Sequence, residues 1–250
     1  MAVWDALVGQ SEVVSELRAA VQDAALEPPG SAMTHAWLFT GPPGSGRSSA
    51  ATAFAAALVC QQQGCGECHD CIGVRAGTHP DVEIVRPEGV SYKTADARAL
   101  VSRASVAPAR SRWHVMVVED ADRLTETANN VLLKAIEEPP PRAVWVLCTP
   151  SVEDVLPTIR SRCRQVMLRT PNPDEVARYL TESEGIDPAT ALFASKAAQG
   201  HVGRARALAR DDQARQRRQE ILSVPSKLAD LASCIRAAKE IVDTAEADAQ

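Results

Sequence analysis

The stretch Gly41–Ser49, GPPGSGRSS, places three glycines within six residues and follows them with a basic residue and two hydroxyls. Glycine lets a backbone turn tightly enough for successive N–H groups to face one anion, and a helix that starts there adds its positive end. In this reading Gly41, Pro42, Pro43, Gly44, Ser45 and Gly46 shape a phosphate-binding loop. Arg47 neutralises phosphate charge, and Ser48, with Ser49 beside it, offers a hydroxyl to Mg2+. The ligand such a loop could hold is ATP with Mg2+. Lysine is usual at the position of Arg47 because a compact charge slips between terminal phosphates. A planar guanidinium needs a different approach. Arginine can still grip phosphate with two prongs, but phosphoryl transfer depends on charge placed accurately. The exchange therefore favours binding over hydrolysis.

A second pair of candidates is Glu119–Asp120, at the end of the apolar run WHVMVV. Acids there can hold Mg2+ and orient water beside a phosphate loop, or simply stand solvated at a strand end. Active nucleotide hydrolases of this kind carry the order Asp then Glu. The reversed order puts a longer side chain at the metal and a shorter one at the water.

Four of the seven cysteines, Cys60, Cys65, Cys68 and Cys71, lie within twelve residues at the spacing C-x4-C-x2-C-x2-C. Four thiolates suit tetrahedral Zn2+, and Gly64 and Gly66 help the backbone wrap. No partner cluster or water-activating histidine sits nearby, although His69 lies inside the loop, so the site is expected to be structural. Reduced, metal-free thiols are the alternative in a reducing compartment. Arg162, in Ser161–Arg162–Cys163, is either a solvated charge or an arginine presented to a nucleotide on a neighbouring subunit.

These residues need elements to position them. Residues 11–26 have apolar positions at helical spacing behind Ser11, a candidate cap. HAWLFTG (35–41), DVEIV, WHVMVVEDAD, AVWVLCTPS and RQVMLRTP read as strands. The alanine-rich stretch 46–60, TADARALVSRASV with Thr94 as cap, ETANNVLLKAIEE and PTIRSRC read as helices, and the cysteine segment reads as a loop. Strand and helix alternate from about residue 35 to 170, which predicts an α/β fold with a parallel sheet covered on both faces. After Pro171 three short helices follow, with Asp or Asn near each start and glycine near the ends, as a small second domain. Residues 213–250 also read as helical. The arginine-rich run RARALARDDQARQRRQE spreads its charge around a helix, as a solvated face does.

Composition sets outer limits. The chain has 250 residues, 45% hydrophobic and 24% charged, an ordinary globular balance. A formal net charge of −5 offers no global field for nucleic acid, and 4% aromatics argue against stacked-base platforms. No apolar run reaches the roughly 20 residues that cross a bilayer, and MAVWDALVGQSEVV does not read as a secretory leader. The expectation is a cytoplasmic protein with no membrane partner.

In order, LVGQ, HAWLFTGPPGSGRS, the four-cysteine insert, HPDVEIVRPEG, RWHVMVVEDADRLTETANNVLLKAIEEPP and TIRSRC resemble the delta-prime family of bacterial sliding-clamp loaders over about residues 5–210. That family belongs to the AAA+ class and to the DNA polymerase III holoenzyme. The resemblance implies an AAA+ nucleotide-binding domain over 1–170 with a zinc insert at 60–71, a three-helix lid over 171–212, and the start of a helical collar over 213–250. It implies that Arg162 acts in trans on the ATP site of an adjacent subunit. It also implies that Cys60, Cys65, Cys68 and Cys71 hold structural Zn2+, and that Thr149 is the sensor residue beside the metal strand. Gly203 falls where motor subunits carry a lid arginine, with Arg204 one place later. The implied partners are gamma/tau and delta subunits and, through the complex, the sliding clamp and primed DNA. Polymerase activity would belong to the complex, with the chain's own ATPase weak or absent. An active ATP-hydrolysing motor subunit of gamma/tau type is the alternative.

Overall fold

The computed structural model describes residues 2–228 and positions 230, 234, 235, 238, 239 and 242. Five strands form one sheet: β1 (Ala36–Thr40), β2 (Val82–Val85), β3 (His114–Val118), β4 (Ala143–Thr149) and β5 (Arg164–Met167). Their order is β2-β3-β4-β1-β5, and every pairing is parallel. β1, β3 and β4 are buried along their whole length, as strands covered on both faces must be.

Side chains alternate across the sheet. Trp37 and Phe39 enter one core with Val115, Val117, Val144 and Val146, while Ala36 and Leu38 enter the other with Met116, Trp145 and Leu147. The first core is closed by α1 (Ser11–Ala24) and α2 (Arg47–Val59). Small alanines on α2 let it lie close, and Phe54 meets Trp37 edge-on at 4.9 Å. α3 (His69–Ala76) packs beside α2 through Cys71 and Val74. The second core is closed by α4 (Thr94–Ala104) and α5 (Glu126–Glu137), through Leu100, Leu132 and Ile136. The single turn α6 (Pro157–Arg160) adds Ile159.

α7 (Pro173–Glu184), α8 (Pro188–Ala197) and α9 (Val202–Arg210) build a separate small core from Val176, Leu180, Ala191, Ala194 and Ala205. α10 (Asp212–Lys227) follows. Among the described residues no helix is long and apolar enough to cross a membrane.

Several local expectations are corrected. Part of the cysteine segment is helical: Cys68 caps α3 and Cys71 sits in its first turn. Ser11 is the first residue of α1, not a side-chain cap. Lys93 precedes α4, and Asp96 accepts its N–H at 2.8 Å. Asn172 and Asp187 cap α7 and α8 as expected, but His201 caps α9. The arginine-rich run is broken at Asp211, which caps α10, so its charges lie on two helices. Most of the expected helical stretch beyond residue 228 lies outside the described residues.

Candidate functional site

β1 ends at Thr40 and α2 begins at Arg47, so residues 41–46 form the strand-to-helix connection that a phosphate loop requires. The Gly41 N–H donates to the Pro150 carbonyl at 3.2 Å, and the Ser45 N–H to Pro42 at 3.1 Å, while Pro42 and Pro43 lie exposed. Gly44 has φ +89°, and a β-carbon on it would lie 3.0 Å from the ring of His201. The torsion favours glycine, and a side chain here would also have to displace the His201 ring by a few tenths of an ångström. The side-chain N–H group of buried Gln10 donates to the carbonyls of Ser45, at 3.2 Å, and Arg169, at 2.6 Å, tying the loop to the segment after β5. Ser48 and Ser49 stand in the first turn of α2. A cleft of about 950 Å³ opens beside the loop, lined by Gln10, Thr40, Gly41, Pro42, Pro150 and Arg169.

Arg47 turns back on this loop, where its Nη1 donates to the Gly41 carbonyl. Thr149, fully buried at the end of β4, is in register with Thr40, and its hydroxyl donates to the Ser151 carbonyl at 3.1 Å.

Glu119 and Asp120 follow β3 but have different surroundings. Glu119 accepts from Arg86 Nε at 2.7 Å and Nη2 at 3.1 Å, so both carboxylate oxygens are engaged by one guanidinium. Those hydrogen bonds, and then the charge of Glu119, raise the Arg86 pKa. The Tyr92 hydroxyl lies 2.6 Å from the Glu119 carbonyl and fixes the backbone there. Asp120 leaves the strand with φ +48° and is more exposed. Burial pushes the neighbouring Cys148 thiol up to about 12; Glu119 adds to this and Arg47 opposes it. Those three side chains therefore share one electrostatic neighbourhood. A metal ion recruited by Glu119 would compete with Arg86 for both oxygens.

Arg162 lies elsewhere. It precedes β5, and the parallel register Trp37↔Arg164 to Thr40↔Met167 puts it at the opposite end of the strands from the phosphate loop. The five residue steps from Cys163 to Leu168 alone span roughly 15 Å. Arg162 Nη1 donates to the Thr158 carbonyl at 2.8 Å, and Nη2 pairs with Glu137 at 2.8 Å.

The four cysteines come together. Their sulfur atoms all lie within 4.8 Å of one another, with Cys60 Sγ 3.8 Å from Cys65 and 3.6 Å from Cys68. A tetrahedral set at about 2.3 Å from Zn2+ has sulfurs about 3.8 Å apart, so these residues fit the ion. The backbone prepares the site. The Cys68 N–H donates to Cys65 Sγ and the Cys71 N–H to Cys68 Sγ, each at 3.4 Å. Backbone N–H groups, first that of Glu67, lower the Cys65 thiol to about 7, whereas burial raises Cys71. The N-terminal segment covers the module: Trp4 Nε1 donates to the Gln63 carbonyl at 3.3 Å. On its other side Asp70 pairs with Arg110 at 3.0 Å and lies 3.5 Å from buried His79.

A parallel sheet in this order, with a glycine-rich loop after β1, acids after β3 and a unit of three further helices, is an AAA+-type fold. The Thermotoga maritima RuvB Holliday junction branch migration motor shares that fold, with a TM-score of 0.59 over 94% of this chain and 70% of its own at 19% identity. A family model described as "DNA polymerase III, delta subunit" matches residues 10–172, and the chain belongs to that family. Similar proteins include DNA polymerase III subunit delta' of Escherichia coli, 35% identical over 77% of this chain and 60% of its own. Subunit delta' of Bacillus subtilis is 31% identical over 77% and 59%. Subunit gamma/tau of Mycobacterium tuberculosis is 34% identical over 72% of this chain and 31% of its own. The chain thus spans less than two thirds of the length of each of these polymerase III subunits.

The sequence brought Gly41–Ser49, Glu119, Asp120 and Thr149 to one end of the sheet, and the structure puts them there. It missed Gln10, Arg86, His201 and Glu137. Gln10 directly follows Gly9 in LVGQ, but its two carbonyl partners lie 35 and 159 residues away. Arg86 and Glu119 are 33 residues apart, and only the adjacency of β2 and β3 brings them together.

Proposed function

We propose that this chain is a non-motor, delta-prime-type subunit of a DNA polymerase III clamp-loading assembly, which gives Arg162 to the ATP site of a neighbouring subunit. One observation carries the reading: Arg162 lies across the sheet from the chain's own phosphate loop, so a phosphate it touches belongs to another molecule. An arginine added to a transferring phosphoryl group from outside stabilises the charge that develops there.

The chain's own site supports binding more than turnover. Residues 41–46, Ser48 and Ser49 could receive the phosphates of ATP and its Mg2+, with Thr149 as the nearby sensor. Arg47 is drawn to Gly41 and Glu119 is held by Arg86. Gly203 offers no charge from the lid; it stands in the first turn of α9, beside the ring of His201. Cys60, Cys65, Cys68 and Cys71 would hold Zn2+, whose chemistry here is structural cross-linking of α2 to α3. The domain division follows the same reading, with a nucleotide-binding unit over 1–170, a lid over 171–212 and the start of a collar from 213. Partners are gamma/tau and delta subunits and, through them, the sliding clamp and primed DNA.

An active gamma/tau-type motor is the second reading. The full spacing of the phosphate loop and the 34% identity to a gamma/tau subunit favour it. ATP turnover by the chain alone separates the two, and mixing Arg162→Ala chain with wild-type motor subunits tests the role of Arg162. The first reading expects clamp-stimulated ATP turnover of the assembly to fall by a factor on the order of 1,000; an unchanged rate refutes it.

A further inference from the structure

We infer that Glu137 is the positioning residue for Arg162, holding its guanidinium in the orientation that meets a neighbour's phosphate. The inference rests on the in-trans role proposed above for Arg162.

Glu137 is the last residue of α5, followed by Glu138 as the C-cap and then by three prolines. Carboxylates at a helix C-terminus oppose the helix dipole, so the position is unfavourable unless a cation compensates. Lys134 stands in the same last turn, and Arg162 adds a second cation, its Nη2 2.8 Å from Glu137 Oε1. The other side of the guanidinium is held as well. Nη1 donates to the Thr158 carbonyl at 2.8 Å and to the Ser161 hydroxyl at 3.3 Å. Two elements, α5 and the α6 turn, therefore fix one edge of the group between them.

The opposite edge remains. Among the described residues Nε has no hydrogen-bond partner, and Nη2 meets Glu137 as an ion pair at 2.8 Å, so no hydrogen bond closes the Nε and Nη2 side of the group. Nε–H and Nη2–H point the same way and match two oxygens of one phosphate. Without Glu137 the long side chain would keep its rotamer freedom and lose it only on docking. With Glu137 that ordering is already made. Both side chains of the pair are 40% exposed, and an exposed pair adds little to folding stability. The effect therefore belongs to placement of the arginine.

The test uses the complete assembly reconstituted with its ATPase subunits, clamp and primed DNA, measuring kcat and KM for ATP separately. Glu137→Gln should lower kcat on the order of tenfold with KM changed by less than about twofold, because only the placement of a transition-state contact is lost. Glu137→Asp should recover part of the rate. The double variant Glu137→Gln/Arg162→Ala should be no slower than Arg162→Ala alone, and the thermal midpoint of the free subunit should not move. If Arg162→Ala slows turnover while Glu137→Gln does not, the positioning inference is overturned and the role of Arg162 stands. The same holds if the two losses multiply, or if raising subunit concentration restores the Glu137→Gln rate, which would mark an assembly defect. If Arg162→Ala itself turns over at the wild-type rate, both readings fall.

Discussion

The imidazole of His201 packs on Gly44, so that the first residue before α9 touches the centre of the phosphate loop. Burial, and then the charge of Arg204, lower the His201 pKa below its ordinary 6.5, and Nδ1 accepts the Arg204 N–H at 3.4 Å as the cap of α9. Protonation would destroy that acceptor. A base with a depressed folded pKa contributes stability that is complete above 6.5 and lost as pH falls through the lower folded value. The His201 ring resonances should therefore titrate below 6.5, and amide exchange in α9 should quicken over the same interval. Titration at or above 6.5 would mean that the ring does not pack on the loop.

The same contact makes Gly44 intolerant of a side chain. Gly44→Ala meets both a positive φ and the His201 ring, and should cost about 1 kcal/mol or more in chemical denaturation. A neutral result would show that His201 and α9 stand away from the loop.

ATP turnover by the free chain should not depend on Arg47. Its guanidinium donates to Gly41, and Glu119 is paired with Arg86, so wild type and Arg47→Ala should give the same background rate. Magnesium-dependent turnover that disappears in Arg47→Ala would favour the motor reading.

Protein prepared without a histidine tag should contain about one zinc per chain, and Cys71→Ser should lose most of it, since Cys71 is a buried member of the cluster in the first turn of α3. Chelation should loosen α3 and the Gln63–Gly64 loop on which Trp4 rests, read as a change in Trp4 fluorescence. A stably folded, metal-free wild type would rule the site out.

Asp81 should be an acid-sensitive support of the fold. Burial works against its charge, but the N–H groups of Ser111, Ala109 and Arg110 outweigh that and hold its pKa below the ordinary 3.8. Its contribution is present above about pH 4 and is lost as pH falls through the folded value. Asp81→Asn at neutral pH should cost about 2 kcal/mol, and thus several degrees of thermal midpoint. A difference between wild type and variant that stayed the same down to pH 2 would contradict this assignment.

The large features of the fold were legible because β1, β3 and β4 are nearly unbroken apolar runs, and prolines and glycines mark the ends of their helices. The phosphate loop and cysteine cluster were legible because their chemistry is concentrated in short spans. α3 was hidden: eight residues that carry a cysteine, a glycine and three charged or titratable side chains show no clear apolar period, and only Gly77 hinted at its end. Partners distant in sequence were hidden for a different reason. Nothing near Glu119 points to Arg86, and nothing near Arg162 points to Glu137, because sheet order and the α5–α6 packing create those pairs.

The central claim is that Arg162 acts outside its own chain. A structure of the assembled complex with a non-hydrolysable ATP analogue tests it most directly. The account predicts the Arg162 guanidinium at hydrogen-bond distance, about 3 Å, from a phosphate oxygen held by the neighbouring subunit. A guanidinium facing solvent, or still more than about 8 Å from any nucleotide in that complex, would contradict it.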